Sequence, residues 1–274
     1  MRLKNFFLPS VEDIQEKLAQ EAPLVLMSRG HSGTRVLSWV CTHLGANLGT
    51  SPDLATGDAD DQSFTDQIKK IATHNIGITQ TKDVQLDDLH RFQKACWRYF
   101  EGLSEPKTLW GWKFPETYLI APYIEATFPK ARYIHFLRDG RDIAFKKHLT
   151  DDEKRKLGHA LLTKQNALSQ PRFLQAAISW AFQVETFDTF QSNLAPERVL
   201  EIRFESLCSE PFPTAQKICE FLGVNMTESC KNYLQHEINT SKVGQYQEHS
   251  PDEIKAVEEA IGQTLRKHGY HTSQ

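Results

Sequence analysis

LVLMSRGHSGTRVLSWVCTHL, residues 24–44, decides the fold. Its first four residues are apolar without interruption, with Pro23 before them and a polar, glycine-containing stretch after. A short apolar run bounded in this way predicts a strand buried on both faces, as in a parallel sheet. From Thr34 to Leu44 the apolar positions return with the 3.6-residue period of a helix. Residues 28–33 are therefore the loop of a strand–loop–helix unit. Gly30 and Gly33 let this loop curl so that successive N–H groups converge on one anion, and the helix N-terminus behind it adds the positive end of a dipole. Ser32 and Thr34 offer hydroxyls, while Arg29, His31 and Arg35 offer charge. An ordinary turn between strand and helix also uses Gly and Ser, so by itself the loop favours phosphate binding only modestly. It is not a Walker A loop, because G-x-x-x-x-G-K-[ST] does not occur.

Upstream, residues 10–21 predict a helix capped by Ser10 with Asp13 three residues on. Downstream, residues 47–62 are rich in Gly, Asp, Ser and Thr and predict a loop. Helices are expected at 64–73, 86–102, 116–128, 173–193, 213–222 and 251–268. The last carries Ile254, Val257, Ile261 and Leu265 at helical spacing. Further strands are expected at 108–112, 132–137 and 198–204. Residues 151–170 are polar and weakly periodic, which suggests a mobile lid with partial helix. Strands alternating with helices indicate an α/β fold, a central parallel sheet flanked by helices, in one domain spanning residues 1–274.

Composition narrows the function. The chain has 274 residues, 39% hydrophobic and 24% charged, which is ordinary for a globular domain. A net charge of −3 argues against a nucleic-acid-coating protein, so any anion site depends on local placement of basic residues. The apolar patch Phe6, Phe7, Leu8 is too short for a signal-peptide core, and no stretch approaches the roughly 20 apolar residues of a membrane span. Cys41, Cys96, Cys208, Cys219 and Cys230 are scattered and lack C-x-x-C spacing, which argues against a disulfide framework or structural zinc. A reduced, soluble, cytoplasmic chain is the expectation.

A second loop follows the third expected strand in RYIHFLRDGRDIAFKK, residues 132–147, where Arg138 offers a planar fork suited to phosphate. A helix-start ion pair or cap explains Arg141 and Asp142 equally well. Together with WGWKFPET (110–117), FPKARYIHFLRDGRD (128–142) and IRFESLCSEPFPTAQKICEFLGV (202–224), these loops make the chain resemble the P-loop-like sulfotransferases over about residues 23–224. That family uses 3′-phosphoadenosine 5′-phosphosulfate. The resemblance implies transfer of its sulfuryl group to an acceptor hydroxyl or amine, with adenosine 3′,5′-bisphosphate (PAP) as product and no metal. The family's K-S-G-T, R-S-G-T or K-G-G-T loop stands here as His31-Ser32-Gly33-Thr34. Histidine thus replaces the usual cation, and beside a phosphosulfate its pKa should rise. Arg138 matches the residue that holds the 3′-phosphate. The family's serine eight residues on is Lys146, which would act as a point charge. Lys113 matches the second-strand lysine that faces the bridging oxygen.

The general base is less determined. Cytosolic members use a histidine two residues after this lysine, where Pro115 stands. Others use a glutamate after the first loop, and none occurs between Arg35 and Lys94. GDADD (57–61) offers Asp58, Asp60 and Asp61, with Asp58 and Asp61 the first candidates, ahead of Glu116, although such acids are commonly turn formers. His43, His74, His90, His135 and His148 are dispersed and read as structural. Trp180 and Phe182 read as core, and in the tail only Lys242 is a candidate contact. The acceptor stays open among carbohydrate, lipid, small molecule and peptide, as does the oligomeric state. His31 and Lys146 also motivate a second reading, a nucleotide-binding homologue that has lost catalysis. A P-loop kinase is disfavoured by the missing Walker lysine.

Overall fold

A computed structural model describes residues 9–50, 56–105 and 107–272. The apolar patch at 6–8 and residues 51–55 of the expected loop lie outside the described residues. The chain begins with α1 (Val11–Gln20), where the Ser10 hydroxyl accepts from the Asp13 N–H and the Asp13 carboxylate accepts from the Ser10 N–H, the expected reciprocal cap. Then come β1 (Leu24–Met27), α2 (Thr34–His43), α3 (Gln62–His74), α4 (Leu86–Gly102) and β2 (Gly111–Lys113). The second half runs α5 (Ala121–Thr127), β3 (Arg132–Leu137), α6 (Gly140–Ala144), α7 (Lys156–Lys164), α8 (Arg172–Gln191) and β4 (Val199–Arg203). It closes with α9 (Phe204–Ser209), α10 (Pro211–Leu222), α11 (Glu228–His236) and α12 (Pro251–Lys267).

Three expectations need correction. The strand placed at 108–112 starts later, at Gly111, and runs on to Lys113; residues 47 and 110 make only an isolated bridge. The helix placed at 116–128 is two pieces, a 3-10 turn Pro115–Leu119 and then α5. Pro122 has no N–H to donate into a continuous helix, so the break falls at Ile120 just before it. Helices α9 and α11 were not anticipated: α9 is six residues long, and α11 buries only Cys230 and Leu234, too few for a periodic signal.

The sheet has the order β2-β1-β3-β4 and every pairing is parallel. Because side chains alternate along a strand, its two faces divide the core. Val25, Met27, Tyr133 and Leu137 enter a cluster with α1, α3, α4, α8 and α12, while Leu24, Leu26, Ile134 and Phe136 enter another with α2, α9, α10 and α11. All four residues of β1 are buried, which explains its unbroken apolar run. With every strand parallel, their C-terminal ends open at one edge. The order reverses around β1, so that edge holds a crevice there.

One polar cluster, buried at His135, Asp188 and His268 and exposed at Glu201 and Lys267, ties the tail to the sheet. His135 of β3 has its Nε2 2.5 Å from Tyr118 Oη and its Nδ1 3.4 Å from Glu201 of β4. His268, just after α12, bridges Asp188 of α8 at 2.9 Å and Glu201 at 3.3 Å, and Lys267 Nζ donates to Asp188 at 2.6 Å. Burial alone would lower the His268 pKa, but the two carboxylates outweigh it and hold the ring up at about 9. A folded pKa above the unfolded value of about 6.5 means this contribution is complete below that pH and is lost as pH rises through about 9. Urea unfolding at pH 6.5 and 9.5 should therefore show wild type losing about 2 kcal/mol more than His268→Gln across that interval. Equal losses in the two proteins would remove His268 from this role.

Candidate functional site

The loop after β1 is held by buried contacts on both sides. Ser28 Oγ–H donates to Phe136 O of β3 at 2.6 Å. Arg29 is 1% exposed; its Nη1–H donates to Gly30 O at 3.0 Å and its Nη2 pairs with the buried Asp151. Asp151 also takes Arg172 Nη2 of α8 at 2.5 Å. Burial would raise the Asp151 pKa, but these two guanidinium groups hold it below the ordinary carboxylate value. Arg29 was expected to offer charge to a ligand. It is instead an internal strut, and Asp151, expected at the edge of a lid, is its buried anchor.

Beyond Arg29 the backbone turns sharply. His31 adopts φ 69° and Gly33 φ 85°. The left-handed region is uncommon for residues with a Cβ, and such strain gathers at ligand-clamping loops. A Cβ on Gly33 would also stand 2.3 Å from the Phe204 ring, so only glycine fits. Gly33 caps α2 without a side-chain hydrogen bond; the Val36 N–H turns back to Gly33 O at 2.9 Å, and the Thr34 and Arg35 N–H groups are left for an external acceptor.

A cleft of about 430 Å³ opens in front of this loop, lined by Gly30, His31, Gly33, Thr34, Arg35, Thr56, Asp58, Lys113, Pro115, Arg138 and His148. These residues come from the C-terminal ends of β1, β2 and β3 and from the segments beyond them. The two loops singled out from sequence meet directly: Arg138 Nη1–H donates to His31 O at 3.1 Å. Arg138 is further held by Asp142 Oδ2 at 2.9 and 3.2 Å, by the carbonyl of Lys242, and by the Phe204 ring 4.8 Å away. Asp142 in turn accepts the N–H groups of Gly244 and Tyr246, so the tail contributes backbone to this corner. Lys242 is present through its carbonyl. Lys146 donates to Gln245 Oε1 at 2.8 Å and does not line the cleft.

On the opposite wall, Lys113 is 4% exposed, with Nζ 2.5 Å from Asp58 Oδ1 and 2.9 Å from Thr56 O. Burial lowers its pKa and Asp58 counters that in part. The four carboxylates considered as bases are now separated by place, Asp60 being exposed and outside the cleft lining. Asp58 lines the cleft. Asp61 caps α3, accepting the Phe64 N–H at 2.9 Å, and does not line the cleft. Glu116 lies behind Pro115, accepts Thr150 Oγ1–H at 2.9 Å, and is raised above its ordinary value by burial.

The histidines also differ from expectation. His31 Nε2–H donates to Lys147 O at 2.8 Å, and its pKa is lowered by burial and by the charges of Arg29 and Lys146. Without a ligand it favours the neutral ring; the rise expected of it belongs to the cleft with a phosphosulfate bound. His148, read from sequence as structural, stands in the cleft wall with its ring edge-on to His31, centroids 5.2 Å apart. A lone histidine has no sequence signature for such a position. Its only signal was proximity to the RYIHFLRDGRD loop.

Ser32 is buried within the loop, while Arg35 is exposed at the cleft rim. A larger groove of about 830 Å³ runs along α12, but it includes none of the loop residues. Among the described residues, His135, Asp188 and Glu201 have ligand atoms within 4.8 Å of one another and could hold a metal; His268 already bridges the two carboxylates. Trp180 is core, packed over Gly140 as expected from helical spacing. No described helix is long and apolar enough to cross a membrane.

Comparison with known proteins follows the same lines. The sequence model described as "Sulfotransferase family" matches residues 40–228. No curated protein matches the sequence. Among solved structures, the sulfotransferase domain of the Synechococcus PCC 7002 olefin synthase superposes with a TM-score of 0.59 at 15% identity, covering 92% of this chain and 96% of that one. The sulfotransferase domain from the curacin biosynthetic pathway gives 0.58 at 15% identity, covering 92% and 99%. A mouse sulfotransferase solved in complex with PAP gives 0.51 at 14% identity, covering 98% and 95%. At these identities the likeness is one of fold.

Proposed function

This chain belongs to the sulfotransferase family, and from that premise we propose that it transfers the sulfuryl group of 3′-phosphoadenosine 5′-phosphosulfate to an acceptor hydroxyl or amine. The observation that carries this reading is the single cleft in which the loop before α2, Lys113 and Arg138 converge. The mouse enzyme of the same fold, solved with PAP, supports the choice of donor.

The donor set fits a doubly phosphorylated nucleotide. Uncapped N–H groups at the start of α2, with Thr34 and Arg35, suit the 5′-phosphosulfate, and the Arg138 guanidinium, oriented by Asp142, brings positive charge to the 3′-phosphate. The donor supplies the sulfur centre, whose bond to the 5′-phosphate oxygen breaks as a bond to the acceptor oxygen or nitrogen forms. Lys113 stabilises charge developing on the departing oxygen, in a buried setting where that interaction is strong. Asp58 is the carboxylate placed to take the acceptor proton. His31 becomes charged once an anion in the cleft outweighs the burial that keeps it neutral. The acceptor is assigned no class beyond its nucleophilic group. The described cysteines, all buried and unpaired, fit a reducing compartment such as the cytoplasm.

Titration calorimetry with PAP tests the donor site. Wild type should bind, Arg138→Lys should bind about tenfold more weakly because an ammonium cannot keep the contacts to Asp142 and His31 O that orient the charge, and affinity should decline with rising pH in wild type but not in His31→Ala. Labelled donor incubated with cell extract should then yield a sulfated product. PAP binding without transfer to any acceptor pool would favour the nucleotide-binding reading. No PAP binding, with acceptor labelling from ATP instead, would overturn the proposal.

A further inference from the structure

We propose that His148 is a fixed hydrogen-bond donor, through Nε2, to the sulfuryl end of the bound donor, a role distinct from acid–base catalysis. This inference rests on the donor-site reading above and assigns a function to a residue whose sequence context marks it only as a dispersed histidine.

The tautomer is set by the backbone. The Thr150 N–H donates to His148 Nδ1 at 3.1 Å, so that nitrogen carries the lone pair and the ring proton resides on Nε2. Among the described residues Nε2 has no hydrogen-bond partner. It lies directly over the phosphate loop: a Cβ built on Gly30 would fall 2.0 Å from it. Glycine at position 30 is therefore what lets the imidazole approach the loop backbone. The ring is also held edge-on by His31, and it lines the same cleft as Lys113 and Arg35.

The surroundings oppose a charge on this ring. It is half-buried in the cleft wall, and that desolvation together with nearby Arg29, His31 and Lys113 takes its pKa down to about 3, with Asp151 only partly countering. Without a ligand, the ring is neutral and its donor hydrogen lies on Nε2. It cannot accept the acceptor's proton there, because that nitrogen already bears one. Proton removal is thereby left to Asp58, and His148 supplies a preorganised dipole where negative charge is redistributed.

Nε2 borders Gly30 rather than Arg138, which places the donated hydrogen bond at the phosphosulfate end of the cleft. PAP lacks the sulfuryl group, so binding of the two nucleotides separates the role from general folding. His148→Phe should bind PAP within threefold of wild type, bind the sulfated donor more weakly, and release labelled sulfate or transfer it about 10²-fold more slowly. His148→Gln, whose amide N–H₂ reaches near the Nε2 position, should recover most of that loss. Imidazole ¹⁵N shifts should report the Nε2–H tautomer from pH 5 to 8, with Nε2 responding to the sulfated donor and not to PAP. If His148→Phe binds PAP and turns over within threefold of wild type, or if the ring titrates between pH 5 and 8, the assignment fails while the donor site stands. If wild type shows no affinity for PAP, the donor-site reading fails first.

Discussion

Lys113→Ala should lower sulfuryl transfer about 10³-fold, measured on the acceptor that labelling identifies, while changing PAP affinity less than tenfold. The size follows from position. Lys113 Nζ is buried in the cleft wall and held by Asp58 Oδ1 at 2.5 Å and Thr56 O at 2.9 Å, so it meets developing charge without reorganising. Removing one preorganised donor to such charge costs about 10²–10³ in turnover. An unscreened ammonium beside a leaving phosphate lies at the upper end of that range. Lys113→Arg should rescue little, because the 4% exposed site is fitted to a compact ammonium and a planar guanidinium would meet its walls. Asp58→Asn tests the partner. It keeps a hydrogen bond to Lys113 but removes the base, so transfer should fall about 10²-fold or more with PAP affinity little changed. Retention of near-normal turnover in Lys113→Ala would remove this lysine from the chemistry.

Asp151→Ala should destabilise the fold by about 3–5 kcal/mol, the cost of leaving a buried guanidinium unpaired. Asp151 is fully buried between Arg29 and Arg172, and Arg29 also holds the Gly30 carbonyl. Loss of the carboxylate therefore reaches the phosphate loop, and PAP affinity should fall together with the urea midpoint. The double variant Arg29→Met with Asp151→Leu should be at least about 2 kcal/mol more stable than Asp151→Ala, because a buried pair replaced by apolar side chains leaves no charge uncompensated. An Asp151→Ala protein within about 1 kcal/mol of wild type would show that Arg29 finds water or another partner.

Arg29 also illustrates how sequence reading misassigns a site residue. Beside Gly30 and His31 in a glycine-rich loop, its charge reads as a ligand for phosphate. Its actual partner lies 122 positions away, and nothing local points to it. The acids of GDADD behave similarly: they are equivalent in sequence, yet Asp61 caps α3 while Asp58 faces the cleft. His148 reads as structural for the same reason, since its place depends on a ring packing over Gly30 from a distant segment. The helix expected through residues 116–128 failed on a local rule, the proline at 122.

What the sequence determined by itself was governed by near neighbours: the buried strand Leu24–Met27, its glycine loop and helix, the capping box at Ser10, and the family to which the two loops belong. Periodicity, capping and turn chemistry act within a few residues, so they survive in a linear reading. Tertiary structure alone decided which charged groups face the cleft and which are spent inside. Burial and ion pairing join residues far apart in the chain, and the low dielectric between them sets both their charge state and their availability to a ligand.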